Sequence, residues 1–332
     1  MSFAALATEG RLFVIEDQDV YFHPPTSDHY SWAETNYFGF YVAEANLHVG
    51  AYVQAKPNLG TVMSSVTIVD GISNTPHEVC YFDCFVHLPM PEGNLDDFEL
   101  ANGLAIRCTK PVMDYHLRFD GGQDVTFDVA YTGLMAPYDI HDPDMDPLAG
   151  AQLEGDAVSA HAYAGHWDQS GRVRGTLNLR GQVHQIDCVA SMDHSWGLRD
   201  ERSIKNFCWM NANFSDDTSI HCIWVSDPHQ LDRYPTITHG YVREGDRVYG
   251  IRGGTGRLRR NGFLHQFFDL EVEDVRGKTH EFTGTAMTAN PWVPWPQMYL
   301  SHSFVRWDRS GVVGWGEVQD ACKTHFNAKL PR

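Results

Sequence analysis

Along almost the whole chain apolar residues recur at every second position, and that period is the signature of half-buried β-strands. A first series of predicted strands covers 37–43, 47–54, 61–69, 78–86, 115–119 and 125–131. A second covers 158–164, 173–179, 183–189, 207–214, 219–225, 237–242, 267–272, 281–288, 300–307 and 312–318. They are rich in Val, Thr, Tyr, Phe and Trp, which suit a pleated surface packed on one side. Turn signals separate them at close spacing: Asp120-Gly121-Gly122, Gln169-Ser170-Gly171, Glu244-Gly245-Asp246, Asn261-Gly262, Arg276-Gly277 and Arg309-Ser310-Gly311. Helical periodicity is nearly absent, with one short helix expected at 200–205. Short strands with tight turns predict an all-β chain of antiparallel barrels or sandwiches. At 332 residues, two strand series of similar size suggest two β-domains packed together. The expected seam is the Pro- and Asp-rich stretch 136–155, which divides the chain into 1–150 and 151–332.

The net charge of −18 opposes binding to phosphate backbones and to anionic lipid surfaces, so neither nucleic acid nor a membrane surface is an expected partner. No window approaches the ~18–20 apolar residues of a membrane span. The N-terminus lacks the basic region and apolar run of a signal peptide, and a cytoplasmic location is expected. The seven cysteines are scattered and form no Cys-x-x-Cys pair, which reads as buried reduced thiols.

The densest chemistry lies at Asp193-His194-Ser195-Trp196-Gly197-Leu198-Arg199. In an extended chain His194 and Trp196 share one face, while Asp193 and Ser195 share the other. Two arrangements stay open. His194 and Trp196 face a cavity while Asp193 anchors the strand end, or a bulge turns Asp193 into the cavity as an acid. The plain alternative is that Trp196 plugs a domain seam and Asp193 caps a turn. Neighbouring predicted strands add Trp209 and Asn211, with Asn213 on the same face, then His221 and the pair His239-x-Tyr241. The first half adds Trp32, Glu34, Tyr37 and Tyr41. The stretch Pro291-Trp292-Val293-Pro294-Trp295-Pro296 is a stiff aromatic loop that fits either a pocket lid or a surface staple.

Several motifs are absent or incomplete. Asp142-x-Asp144-x-Asp146 begins like a calcium loop, but Pro147 stands where Gly is required and Leu153 where Glu is required. There is no His-x-His or His-Glu-x-x-His metal pattern and no Gly-x-Ser-x-Gly elbow. Gly253-Gly254-Thr255-Gly256 lacks the Lys of a phosphate loop and reads as a turn with solvated charge. Neither a metal nor a cofactor is expected.

The run from Gly165 to Leu177, then Ile186-Asp187, then Asp193 to Asp200, resembles the carotenoid 1,2-hydratase/AttH-like superfamily. Glu34-Thr35-Asn36-Tyr37-Phe38 and Lys56-Pro57-Asn58-Leu59-Gly60 resemble the first half of its bacterial members. The resemblance implies two lipocalin-like β-domains with an apolar pocket near their seam, and hydratases that need no cofactor are among its members. Its hydratase pattern pairs His-x-Trp, matched here by His194 and Trp196, with a later Tyr-x-Asp. No Tyr-x-Asp follows Trp196, and the nearest substitutes are His221 and His239-x-Tyr241.

Acid-initiated chemistry on an alkene requires a carboxyl kept protonated by an apolar pocket, a base for water, and an aromatic face for the cation. Asp193 or Glu34 fits the acid, His194 the base and Trp196 the face, with His221 and Tyr241 as further catalytic candidates. Trp32, Glu34, Tyr37, Trp209, Asn211 and His239 are the candidate substrate-binding residues. The expectation is a hydratase or dehydratase acting on a terpenoid, steroid or aromatic. An isomerase or cyclase using the same pocket, a lipocalin-like carrier without chemistry, and a homodimer stay open.

Overall fold

The computed structural model describes residues 15–149, 162–202, 204–227, 229–295 and 297–324. Two antiparallel sheets hold most of them. The first is built from β1 (Trp32–Val42), β2 (Leu47–Lys56), β3 (Thr61–Val69), β4 (Tyr81–Pro89), β5 (Asp97–Glu99), β6 (Leu104–Lys110), β7 (Asp114–Asp120), β8 (Val125–Gly133), β9 (Tyr138–Asp139), β10 (Gly165–Leu179) and β11 (Gln182–Leu198). The second is built from β12 (Phe207–Phe214), β13 (Thr218–Val225), β14 (Arg233–Tyr234), β15 (Ile237–Glu244), β16 (Arg247–Asn261), β17 (Leu264–Asp274), β18 (Thr279–Trp292), β19 (Met298–Arg309) and β20 (Val312–Lys323).

In the first sheet the strand order is β4-β3-β2-β1-β11-β10-β8-β7-β6-β5, with β9 on β10. It curls around a core of Phe38, Phe40, Leu104, Leu117, Phe127, Tyr131 and Met192. The second sheet closes, because β16 pairs with both β15 and β17. Eight of its strands form a barrel around Cys208, Met210, Phe214, Trp224, Phe282 and Trp307. The expectation of an all-β, two-domain fold therefore holds, with one closed barrel and one curled half-barrel sheet.

The chain changes sheet between Leu198 and Phe207, not at the expected 150/151 seam. Residues 165–198 return to the first sheet, where β11 pairs β1 and β10 pairs β8. The Asp-His-Ser-Trp-Gly motif is thus on the first sheet, not the second. The Pro- and Asp-rich stretch is instead a crossing loop, in which Asp146 reaches β15 and Pro147 packs over Gly250 of β16.

Other local expectations shift for physical reasons. Gln169-Ser170-Gly171 sits inside β10 rather than at a turn, because a Cβ at Gly171 would meet the Tyr131 ring at 2.1 Å. Gly253–Gly256 lies within β16, whose ladder to β17 is complete there apart from a bulge at residues 251–253. Residues 201–202 form a turn instead of a helix. The predicted strand 158–164 falls mostly outside the described residues. The other five turn signals join adjacent strands as expected. All seven cysteines are free thiols. No helix among the described residues is long and apolar enough to cross a membrane.

Candidate functional site

Strand parity decides which side chains meet. β11 is extended through the motif, pairing Asp193 with Tyr37 and Asp168, and Ser195 with Thr35 and His166. Directly paired residues share a face. One face therefore gathers Thr35, Tyr37, His166, Asp168, Asp193 and Ser195, and it looks across at the outer wall of the barrel. On that wall β12 points Phe207, Trp209, Asn211 and Asn213 outward, while Cys208, Met210 and Ala212 fill its core.

Between these faces lies a cavity of about 200 Å³. Asp193, His166, Arg199, Tyr163 and Gln319 supply polar atoms to its lining, and Tyr37, Tyr52, Phe207, Trp209, Trp292 and Trp295 supply aromatic surface. The stiff Pro-Trp loop thus closes one side of a pocket, with Trp295 Nε1–H donating to Tyr52 Oη at 2.8 Å.

Asp193 is half-buried and opens on this cavity. Burial raises its carboxyl to about 7; neighbouring Asp168 and Glu317 add to the rise, and His166 and Arg199 oppose it. Asp168 behaves oppositely. It is fully buried, yet the surrounding imidazoles outweigh its burial and hold it well below the usual range. Its Oδ1 accepts Trp209 Nε1–H at 2.7 Å and its Oδ2 accepts His166 Nε2–H at 2.9 Å. His221 Nε2 and His239 Nε2 lie 3.1 and 3.2 Å from the same oxygen. Burial lowers His239, but Asp146 (2.5 Å from Nδ1) and Asp168 outweigh it and raise the imidazole to about 9. Burial dominates at His221 and lowers it. Two carboxyls of one face are thus pushed apart, one still partly protonated near pH 7 and one ionised.

His166 is a cavity residue that the sequence reading missed. Asp168 fixes its Nε2 as the donor; its Nδ1 is buried without a hydrogen-bond partner, and the residue lines the cavity. An imidazole oriented by a carboxylate with its other nitrogen unpaired has the arrangement that a general base requires. The available signal was the pair His166-x-Asp168, placed by period 2 on one face beside the motif.

The expected site residues divide. Asp193, Tyr37, Trp209 and His239 line the cavity. His221 and Tyr241 stand behind it, stacked at 5.3 Å, with Tyr241 Oη 2.9 Å from Ser170 Oγ. Asn211 points between the sheets toward Glu317, which also accepts Tyr37 Oη–H at 2.5 Å and His302 Nε2–H at 2.9 Å. His194, Trp196, Trp32 and Glu34 lie on the opposite face of the first sheet and do not line the cavity. Neither arrangement left open by the sequence is adopted: no bulge is needed, because the extended strand itself turns Asp193 inward and His194 away.

That opposite face is a second buried cluster. Glu34 Oε1 accepts His194 Nε2–H at 2.9 Å and His23 Nδ1–H at 2.8 Å. His23 stacks on Trp196 at 3.5 Å between ring centroids. Burial raises Glu34, but its two His donors outweigh burial and keep it lowered. His194 and Trp196 therefore fasten the segment before β1 to the sheet. His194→Ala is expected to destabilise the fold by roughly 2–3 kcal/mol, the scale of a buried charged hydrogen bond left unpaired. Faster proteolysis around His23 with unchanged ligand binding in the cavity is the check; unchanged proteolysis contradicts the assignment.

The three carboxylate-centred groups, around Glu34, Asp168 and Glu317, each bring two imidazoles to one acid. Each acid also accepts N–H or O–H donors: Glu34 from His23 and His194, Asp168 from Trp209 and His166, and Glu317 from Tyr37 and His302.

The chain belongs to the family described as "Domain of unknown function (DUF7064)", which matches residues 16–322. No curated protein matches it by sequence. Among solved structures it is similar to kievitone hydratase from Nectria haematococca, at 13% identity, TM-score 0.52 and 90% coverage of each chain. It is similar to CghA in complex with Sch210972, at 11% identity, TM-score 0.57 and 88% coverage of each chain. An AttH-like protein from Nitrosomonas europaea aligns at 11% identity and TM-score 0.48, over 93% of this chain and 97% of that one. The likeness to kievitone hydratase and CghA shows a shared fold.

Proposed function

We propose that the protein is a hydratase or dehydratase that moves protons between Asp193, water and a small hydrophobic substrate held between the two sheets. The observation that carries this reading is a carboxyl held near pKa 7 at the wall of an aromatic cavity, beside an imidazole with a free nitrogen. In hydration, Asp193 gives its proton to one alkene carbon and the other carbon becomes cationic. Indole and phenol faces from Trp209, Trp295 and Tyr37 stabilise that charge. Water attacks the cation and its surplus proton passes to His166 Nδ1. Proton return through solvent resets the pair. Dehydration runs the same steps backwards, with protonated His166 giving its proton to the departing hydroxyl and the Asp193 carboxylate taking the proton from the neighbouring carbon. Asp193 and His166 are diagonal neighbours on adjacent strands, about 7–8 Å apart at their backbones. That span leaves room for a substrate carbon and a water between them. The fold relation to a kievitone hydratase is compatible with this chemistry and does not name the substrate.

The test incubates the protein with unsaturated terpenoids, steroids and aryl alkenes in ¹⁸O-labelled heavy water, read by mass spectrometry. Gain of one labelled water, absent with Asp193→Asn, is the expected result. Deuterium exchange without water gain replaces the reading by an isomerase. A ligand that co-purifies and never changes replaces it by a carrier.

A further inference from the structure

Arg199 ends the motif that contains Asp193, and acid–base chemistry gives it no task. It is 4% exposed and lines the cavity. Its Nε–H donates to the Ala162 carbonyl at 3.3 Å, Nη1–H to Thr35 Oγ1 at 3.2 Å and Nη2–H to Ser195 Oγ at 2.5 Å. All three acceptors are neutral, and no ion pair to Arg199 occurs among the described residues. A guanidinium carries five N–H donors, so two remain. The Tyr163 and Trp295 rings lie against it, 5.1 and 5.9 Å from the guanidinium carbon. Buried cations that cannot lose their proton are ordinarily paired with an anion. Here the hydroxyls of β1 and β11 fix the fork, and its charge is left facing an aromatic cavity.

We propose that Arg199 is the subsite for a carboxylate on the ligand, so that the cavity takes small unsaturated aromatic or alicyclic acids. The inference rests on reading this cavity as the substrate site, and it adds the substrate's chemical class. The acid enters with its carboxylate on Arg199 and its hydrocarbon body against Tyr163, Phe207 and Trp295. Below about pH 7 Asp193 does not compete for the guanidinium, since burial keeps it mostly protonated there. The protein's net charge of −18 repels anions at long range, so retention of an acid requires a local cation of this kind. Asp193 is two residues from Ser195 on the same face of β11, a separation of about 7 Å. The carbon that receives the proton therefore sits a few bonds from the carboxylate.

The test measures binding by tryptophan fluorescence at pH 6, where the acids are ionised and Asp193 is mostly protonated, for three pairs: benzoic acid and benzyl alcohol, trans-cinnamic acid and cinnamyl alcohol, 1-naphthoic acid and 1-naphthalenemethanol. At least one acid is expected to bind 10-fold or more tightly than its alcohol. Arg199→Gln is expected to abolish that preference while alcohol affinity stays within threefold. If Arg199→Gln does not fold, Arg199→Lys carries the test, because it keeps the charge but loses the fork, and the preference is expected to fall at least threefold. Equal affinity within every pair, absence of binding in all of them, or a preference that survives substitution overturns the proposal. Acids that bind through Arg199 and are never hydrated leave this inference standing and remove the hydratase reading. Hydration of a neutral alkene without any acid preference does the reverse.

Discussion

Asp193→Asn is expected to lower turnover by ~10²–10⁴-fold, the usual contribution of a positioned general acid, with ligand affinity nearly unchanged. The amide keeps the shape of the carboxyl and cannot supply its proton. The pH profile follows from the raised carboxyl. Activity that needs the protonated form is present below about 7 and is lost as pH rises through that value. Stability shows the same group from the other side. The folded carboxyl holds its proton up to about 7, whereas the ordinary value is 3.8. Between those limits the folded state binds more protons than the unfolded one, so stability falls as pH rises through the window. Above it the folded state carries a desolvated charge. Asp193→Asn removes this penalty and is expected to be more stable than the parent at pH 8, by an order of magnitude of a few kcal/mol at most, since cavity water screens part of the charge. The advantage disappears near pH 4. Denaturant midpoints of the two proteins across this range provide the measurement, and an Asn variant no more stable at pH 8 counts against a raised Asp193.

Asp168→Ala is expected to have the largest structural effect of any single substitution at the site. Asp168 ties β10 to β12 through Trp209 and holds three imidazoles at one oxygen. Its removal leaves His239 Nε2–H and the Trp209 indole N–H without an acceptor, while Asp146 still holds His239 Nδ1. Breaking a buried ion pair from one side costs ~3–5 kcal/mol. The same change frees His166 to rotate, so turnover is expected to fall along with stability. The pH sign is opposite to that of Asp193. The folded carboxyl lies well below its ordinary value, so its stabilisation is complete above about pH 4 and is lost on acidification. Asp168→Ala should therefore abolish the part of the acid-unfolding transition that this carboxylate contributes. A stability loss below ~1 kcal/mol by urea titration contradicts the central place given to it.

The strand period made the fold legible, because alternation survives wherever one face is buried. Where it misled, a tertiary contact was the cause. Gln169-Ser170-Gly171 carries turn chemistry, yet Gly171 is required by the Tyr131 ring that packs onto it. The seam was placed at Pro- and Asp-rich residues that cross between the sheets, since nothing local shows that β10 and β11 return to pair with β8 and β1. The motif was found, but its polarity was not. Period 2 stated that Asp193 and His194 face opposite ways, and only the partner across the sheet decides which way is the cavity. His166 and Arg199 were missed for the same reason. Each acquires a role from a neighbour distant in sequence: Trp209 and the barrel imidazoles held with His166 at Asp168, and the aromatic loop around Trp295.

The most direct test of the central claim is the titration of side-chain carboxyl ¹³C resonances in aspartate-labelled protein, compared with Asp193→Asn. One resonance titrating near pH 7 and missing from the variant is the predicted result. If every aspartate carboxyl in the parent protein has ionised by pH 5, Asp193 is not the neutral acid of this cavity and the proposed chemistry fails.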